Sequence, residues 1–240
     1  MFLQGASGDL GPRDDYVGDS AIADRNGRQL GYAVLSALAT LPPAGTRFQY
    51  LGPVVSGATL GDWAHVPLEG AAMQKKGFWR LRRWTIPIAY RSGLPTRETT
   101  VAERARWHAD EEAAQRAGDT AKARDCHAMV ERMDRQLTRI AEWPPGATFP
   151  FPLALLQMGD AFWLAVEAEH YQLLQVRLRE RFPGVAIIVL TLINGSRAAY
   201  LPTRECYGKG IYQESIAVLA PGCLEQVIEA VGQQIAEWLK

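Results

Sequence analysis

The stretch VAIIVLTLI, from Val185 to Ile193, runs directly into the polar stretch NGSRAAYLPTRECY, from Asn194 to Tyr207. An apolar run that is rich in β-branched residues and ends at Asn-Gly predicts a strand buried on both faces. In α/β proteins, ligands commonly bind in polar loops at the carboxyl ends of such strands. The loop that carries Tyr200 is therefore a candidate ligand-binding element.

A second apolar strand is predicted upstream, from Ala161 to Val166. Apolar side chains then recur at helical spacing until Pro183-Gly184, which ends the helix before the strand at 185–193. A strand, a helix and a strand in this order predict a βαβ unit with parallel strands and a right-handed crossover. The fold class expected from this pattern is α/β, with a mixed sheet that contains the βαβ unit.

Glu169 and Tyr200 follow these two predicted strands. The pattern puts Glu169 at the start of the crossover helix and Tyr200 a few residues beyond the second strand. Because parallel strands end at the same edge of a sheet, both side chains are expected to face one crevice. A carboxylate and a phenol there are compatible with a metal site, an acid/base pair or a simple hydrogen bond. A capping glutamate and a loop tyrosine without a functional role are the structural alternative.

Composition limits the class of protein. The chain has 240 residues, of which 48% are hydrophobic, and its formal net charge is zero. This balance argues against a general binder of nucleic acid or anionic membranes. No apolar run has transmembrane length, and the first residues lack a signal-peptide pattern, so a soluble chain is expected. The three cysteines, Cys126, Cys206 and Cys223, have neither a disulfide-framework nor a zinc-ribbon spacing.

The rest of the chain predicts one α/β domain, residues 1–240, with a helical hairpin inserted at 99–143. In the second half of this insertion, apolar residues keep a 4-3-4-3 spacing from Cys126 to Ile140, and Gly118 lies near the turn. Such spacing indicates two antiparallel helices with a thin apolar seam. The other predicted elements are helices at 29–41 and from Leu224 onward, and strands at 48–55 and 79–90, the second an edge or irregular strand.

The first four residues predict a strand that runs into a glycine-rich loop, and Asp9 is the side chain of that loop best suited to chemistry. The loop is not a P-loop, because no Gly-Lys-Ser/Thr follows it, and a tight strand exit explains its glycines equally well. A predicted strand that begins at the first residue indicates that the chain starts inside a larger fold. A short N-terminal edge strand is the alternative explanation. No two of the four histidines have the His-x-x-x-His spacing of a zinc site, and the sequence offers no Ser-His-Asp set for nucleophilic catalysis.

Three segments resemble the neutral/alkaline non-lysosomal ceramidase family, specifically the later part of its catalytic domain. Residues 4–12 resemble the family's segment with Gly-Asp-Val-Ser-Pro, and residues 166–169 resemble its Val-Pro-Gly-Glu. Residues 194–207 resemble Asn-Gly-x-x-Gly-Tyr-x-Pro-Thr-x-Glu-x-Tyr, which is the most specific of the three patterns. Order and spacing agree over most of the chain apart from the predicted helix pair.

The resemblance implies a zinc-dependent amidase that hydrolyses a C–N amide bond, with a small-molecule or lipid amide as substrate. In that family two histidines, a glutamate and a tyrosine hold the zinc, which activates water against the amide carbonyl. The glutamate maps to Glu169 and the tyrosine to Tyr200, which are then metal ligands. Asp9 is the candidate catalytic residue.

The chain departs from the family pattern in three places, one of which is Glu167-Ala168 in place of Pro-Gly. Both zinc-binding histidines lie, in the family, before the segment to which this chain corresponds, and Gly11 stands where the family has its serine. Two protein ligands do not make a catalytic zinc site, so the chain by itself is expected to bind zinc weakly or not at all. An amino-terminally truncated member and a relative that has lost the chemistry both explain the pattern.

Two functions of other classes are also compatible with the sequence. One is a non-catalytic protein that binds a ligand in the crevice between Glu169 and Tyr200. The other is a structural or assembly protein that docks through the helix pair at 99–143. Metal content separates the first of these from the zinc amidase, and removal of the helix pair tests the second.

Overall fold

The computed structural model describes residues 2–14 and 17–240, and these residues divide into two compact units. The N-terminal unit contains Leu10–Arg80 and Gln157–Ala161. The sheet unit contains the residues up to Asp9 together with Leu81–Leu156 and Phe162–Lys240. The single domain expected for residues 1–240 stays a prediction.

The N-terminal unit consists of a helix, a long hairpin and a second, short helix: α1 Ser20–Ala39, β1 Thr46–Ser56, β2 Ala58–Pro67 and α2 Gly70–Gly77. The strands β1 and β2 pair in an antiparallel ladder. Helix α1 begins nine residues before the predicted start at residue 29, because the side chain of Asp19 caps it by accepting a hydrogen bond from the Ala21 amide at 2.9 Å. No residue of α1 is buried.

The sheet unit has a mixed α/β architecture, which confirms the predicted class. Its strands are β3 Trp79–Ala89, β4 Thr148–Met158, β5 Ala161–Val166, β6 Glu169–His170, β7 Ala186–Leu190 and β8 Tyr200–Leu201. Its helices are α3 Arg97–Arg116, α4 Thr120–Glu142, α5 Leu173–Arg181, α6 Tyr212–Ile216 and α7 Cys223–Trp238. Four strands form one sheet in the order β3-β4-β5-β7, and β6 and β8 form a separate two-stranded sheet. Strand β3 lies at an edge, as its Pro87 predicts.

The βαβ unit is formed by β5, α5 and β7. The amide of Ile193 donates a hydrogen bond to the carbonyl of Val166 at 3.0 Å. This bond joins the carboxyl end of β5 to the residues just beyond β7, so the two neighbouring strands run in the same direction. Pro183 and Gly184 lie between α5 and β7, where the sequence pattern expected the helix to have ended.

Strand β7 is buried on one face only, so the prediction of a strand buried on both faces was wrong. Ile187 and Val189 are buried, whereas their neighbours Ile188 and Leu190 are half-exposed. The reason is that α5 and α7 cover only one face of the whole sheet, and the inner strand β5 alternates between buried and half-exposed residues in the same way. Apolar composition alone could not show this.

One face of the four-stranded sheet packs against α5 and α7 in a single hydrophobic core. The strands contribute alternate side chains to this core, as expected for the pleat of a half-buried strand. Helix α7 contributes residues at helical spacing, and it confirms the helix predicted from Leu224 onward. The fully buried members include Leu153, Leu155, Leu164, Leu174, Leu178, Leu224, Val227, Val231 and Ile235.

The predicted antiparallel helical hairpin is formed by α3 and α4, which lie in the sequence between the adjacent strands β3 and β4. Gly118 has φ of 71° in the short connection, and the side chain of Asp119 caps α4. Cys126, Val130 and Met133 are buried along α4. These residues do not belong to the core cluster of the sheet, so the hairpin has an apolar seam of its own.

The sequence predicted a strand over the first four residues. Met1 lies outside the described residues, and for the remaining residues the prediction was wrong. Residues 2–5 form no strand. Thr191, just beyond β7, holds this segment instead: its amide donates to the Gln4 carbonyl at 2.8 Å, and its hydroxyl donates to the Gly5 carbonyl at 2.9 Å. Across residues 2–14 and 17–240, no helix is both long and apolar enough to cross a bilayer.

Candidate functional site

Glu169 and Tyr200 are direct partners in the parallel ladder of β6 and β8. The Glu169 amide donates to the Ala199 carbonyl at 2.8 Å, and the Tyr171 amide donates to the Leu201 carbonyl at 3.2 Å. Paired residues of a ladder project to the same face, so the Glu169 carboxylate and the Tyr200 phenol leave the backbone side by side. Both residues are half-exposed. The structure therefore brings these two predicted site residues together.

The local structure around Glu169 differs from the sequence prediction. Glu169 lies in β6 and not at the start of a helix, because α5 begins only at Leu173. The ladder with β8 takes up the backbone hydrogen bonds that a first helical turn would have left unpaired. The position of Glu169 is thus set by pairing with the Tyr200 segment, which is a stronger restraint on their separation than two independent loops would give.

Two alanines in the left-handed region orient this ladder. Ala168, with φ of 66°, precedes Glu169, and Ala199, with φ of 57°, precedes Tyr200. A residue with a Cβ is strained in this conformation, and such strain persists only when surrounding contacts hold it. Both alanines are buried, and the Ala168 amide donates to the Gly195 carbonyl at 3.1 Å. Sequence reasoning missed both, although the glycine before the glutamate and the glycine before the tyrosine in the family patterns were a usable signal.

His170 lies on the opposite face of the ladder from Glu169. Its side chain is fully buried, and its ring lies edge-on to the ring of Phe151, with centroids 5.7 Å apart. Among the residues that the structure describes, neither ring nitrogen finds a hydrogen-bond partner of normal geometry. Burial lowers the pKa of His170 to about 4, although the Ala168 backbone offsets part of the effect. His170 is therefore a neutral core residue and not a third ligand beside Glu169 and Tyr200.

The Gly8-Asp9 loop lies against β6. The Gly8 amide donates to the His170 carbonyl at 2.8 Å, and a Cβ on Gly8 would lie 3.1 Å from the carbonyl oxygen of Glu169. A side chain at this position would require the backbone of β6 to shift by a few tenths of an ångström, so glycine suits the close approach. Asp9 is exposed, and its Oδ1 accepts a hydrogen bond from the Gln172 amide at 2.7 Å. The observed contact holds the start of α5, and a catalytic role for Asp9 stays a prediction.

Helix α6, which the sequence patterns did not reveal, closes this group of loops. The ring of Tyr212 lies edge-on to that of Tyr200, with centroids 6.1 Å apart. The Gln213 side-chain amide donates to the Gly8 carbonyl at 3.3 Å. Contacts from one short helix thus reach both the Tyr200 segment and the Gly8-Asp9 loop.

The residues present do not fit a complete zinc site. Within residues 2–14 and 17–240, no group of three or more histidine, cysteine, aspartate or glutamate side chains could hold a metal ion. Catalytic zinc sites use three protein ligands and an open position. Glu169 and Tyr200 offer two oxygen ligands, so no catalytic step through zinc follows from this chain.

Comparisons with known proteins place the chain near two solved structures. No protein-family profile matches it, and no curated protein does. It is similar to the neutral ceramidase from Pseudomonas aeruginosa, with 15% identity and a TM-score of 0.37, over 98% of this chain and 35% of that one. It is also similar to a ceramidase complexed with C2, with 24% identity and a TM-score of 0.26, over 37% of this chain and 14% of that one. The chain thus spans about a third or less of each structure, and at such low TM-scores neither likeness places a residue.

Proposed function

We propose that the edge formed by β6 and β8 is part of a site for the hydrolysis of a C–N amide bond in a small-molecule or lipid amide. The direct pairing of Glu169 with Tyr200 in one parallel ladder is the observation that carries this proposal. The two residues are those onto which the ceramidase patterns map their oxygen ligands. Two ligands of one metal ion have to lie next to each other, and these two side chains leave the same face of the ladder.

Zinc is the metal that the resemblance implies, with Glu169 and Tyr200 as two of its ligands. Because these two oxygens are not a complete set, a zinc ion would need further ligands, and the described residues hold no group of three or more histidine, cysteine, aspartate or glutamate side chains that could bind it. The chain by itself is accordingly expected to lack amidase activity. Its contribution is to hold a carboxylate and a phenol on one rigid ladder.

A cobalt(II) titration tests this proposal, with imidazole supplying the nitrogen ligands that the chain lacks. Cobalt(II) accepts a tetrahedral ligand set and reports its geometry by absorption, which zinc does not. With cobalt and imidazole together, we expect an absorption band of the four-coordinate type that neither the protein alone nor imidazole alone produces. Both Glu169→Gln and Tyr200→Phe should abolish the band, because each removes one oxygen ligand.

Glu180→Gln is the matched control, since Glu180 is an exposed carboxylate on α5 that pairs with Arg177. This variant should keep the cobalt band. A band that persists in the Glu169→Gln/Tyr200→Phe double variant, or that never forms, would contradict the proposal.

A non-catalytic ligand-binding protein is the second candidate function. The observation that favours it is that the described part of the chain holds no group of three or more histidine, cysteine, aspartate or glutamate side chains that could bind a metal ion. In that case the crevice beside Glu169 and Tyr200 would bind a ligand without a metal. A chain that binds an amide ligand equally well with and without chelator would support this candidate.

A further inference from the structure

A buried carboxylate outside the Glu169-Tyr200 pair has an unused oxygen. Glu167 is only 2% exposed, and its Oε2 accepts hydrogen bonds from Nε and Nη2 of Arg197 at 3.0 and 2.8 Å. Both donors go to the same oxygen, and Oε1 is buried without a hydrogen-bond partner among residues 2–14 and 17–240. Because a buried carboxylate oxygen without a donor is destabilising, this site favours a molecule that brings an N–H or O–H group.

Glu167 lines a cavity of about 590 Å³ within the sheet unit. This volume lies in the range of small-molecule sites. Pro152, Ala154 and Ala165 give it an apolar wall, and neither Glu169 nor Tyr200 lines it. The cavity therefore combines an apolar surface with a single buried acceptor, which is the usual composition of a binding pocket.

The charges of the cavity favour an anionic ligand. Arg197 is neutralised by its ion pair with Glu167. Arg83 also lines the cavity, and within the part of the chain that the structure describes it forms no ion pair. One guanidinium is thus left to pair with a group from outside, and guanidinium binds carboxylates in a bidentate geometry.

We propose that this cavity binds a small organic carboxylate that also carries an N–H donor and an apolar body, with N-substituted amino acids as the simplest class. The carboxylate pairs with Arg83, the N–H donates to Oε1 of Glu167, and the apolar body lies against Pro152, Ala154 and Ala165. The site is independent of the proposed amidase function, because it shares no residue with the Glu169-Tyr200 pair.

Fluorescence titration with dansylglycine tests the proposal, because this probe has a carboxylate, a sulfonamide N–H and an apolar ring system. We expect saturable binding with enhanced emission to the full chain. Dansylsarcosine, whose nitrogen carries a methyl group in place of the hydrogen, should bind more weakly. In Glu167→Gln the difference between the two probes should disappear, since the acceptor oxygen is lost.

Arg83→Gln should weaken dansylglycine binding by roughly ten- to hundredfold, the loss expected for one charge-assisted hydrogen-bonded pair. Dansylamide, which lacks the carboxylate, should be insensitive to this change. Arg177→Gln is the matched control, because it removes an arginine from α5 outside the cavity. That variant should bind dansylglycine like the unmodified chain.

Ala165→Phe provides a test that does not disturb the ion pair, since it fills the cavity from its apolar wall. This variant should lose dansylglycine binding while keeping a cooperative unfolding transition. The proposal is overturned if no saturable binding occurs, if both probes bind equally to the unmodified chain, or if folded Arg83→Gln and Ala165→Phe bind dansylglycine unchanged.

Discussion

At the scale of single residues, the ion pair of Glu167 and Arg197 places a charge in the interior of the sheet unit. The side chain of Glu167 is 2% exposed and that of Arg197 is 32% exposed. Burial raises the pKa of Glu167, and the Arg197 guanidinium opposes that rise. Arg197 also lies over the Phe149 ring, 5.2 Å from its centroid, so the pair is fixed by packing as well as charge.

Replacing Arg197 with leucine should therefore lower the free energy of unfolding by about 3 kcal/mol, because Glu167 is left buried without its partner. The double variant Glu167→Leu/Arg197→Leu should recover most of this loss, since no buried charge remains. Urea unfolding at neutral pH measures both values. A double variant that is less stable than Arg197→Leu alone would contradict this account of the pair.

Cys223 and Tyr207 form a second buried polar contact at the residue scale. The Tyr207 hydroxyl donates to the Leu219 carbonyl at 2.8 Å and lies 3.4 Å from Sγ of Cys223. Burial raises the pKa of the Cys223 thiol from 9.0 to about 11, and it raises the pKa of Tyr207 as well. The folded protein thus favours the neutral thiol.

This shift predicts a loss of stability at alkaline pH. Between pH 9 and 11 the unfolded chain has lost the thiol proton that the folded chain still binds. Stability from this group is therefore fully present below about pH 9 and is lost as pH rises through 11, with a total of about 3 kcal/mol. In Cys223→Ala, denaturant unfolding from pH 8 to 11 should show a shallower fall.

Val227→Ala is the control for the Cys223 experiment, because Val227 is fully buried on the same helix and does not titrate. It should lower stability by a similar amount at every pH and keep the slope of the unmodified chain. Equal slopes for Cys223→Ala and the unmodified chain would contradict the predicted linkage.

At the scale of elements, the predictable features were those with local periodic signals. Helix α4 was predicted because the seam from Cys126 to Ile140 repeats within one segment, and the break near Gly118 separated α3 from it. Strand β4 was missed because Pro150 and Pro152 argue against a strand that pairs on both sides, yet β4 lies between β3 and β5. The two-residue strands β6 and β8 have no period at all, and their geometry depends on tertiary hydrogen bonds.

The helical hairpin should be removable. Its buried side chains Ala114, Cys126, Val130 and Met133 lie outside the core cluster of the sheet, so little apolar area joins the hairpin to that core. At about 25 cal/mol per Å² a small contact yields a small docking energy. Excising Thr100 to Glu142 with a short linker should leave the remaining fold nearly as stable in thermal and urea unfolding. Loss of cooperative unfolding would show that the hairpin belongs to the core.

At the scale of the whole molecule, the candidate site could be predicted only in part. The strand pattern predicted that Glu169 and Tyr200 meet at one edge, and the structure pairs them. The strand pattern gave no signal for the left-handed Ala168 and Ala199, and the glycines that the family patterns have at these two positions were the signal that could have revealed them. The Glu167-Arg197 pair also escaped prediction, since residues thirty positions apart give no local signal of an ion pair.

Metal content provides a prediction for the whole chain. The purified chain should bind zinc weakly or not at all, because Glu169 and Tyr200 supply two ligands and the described residues hold no larger metal-binding group. Elemental analysis after dialysis, together with zinc titration calorimetry, measures this. One tightly held zinc ion per chain would contradict the prediction and would require ligands that the structure does not bring together.

The distance between the Glu169 carboxylate and the Tyr200 phenol decides whether these two residues form one site. A high-resolution experimental structure of this chain measures it. We expect both side chains on one face of the ladder, with their oxygens within roughly 5 Å, the reach of a shared metal ion with bonds of about 2 Å. Side chains that project to opposite faces of the ladder would contradict the claim that these two residues form one site.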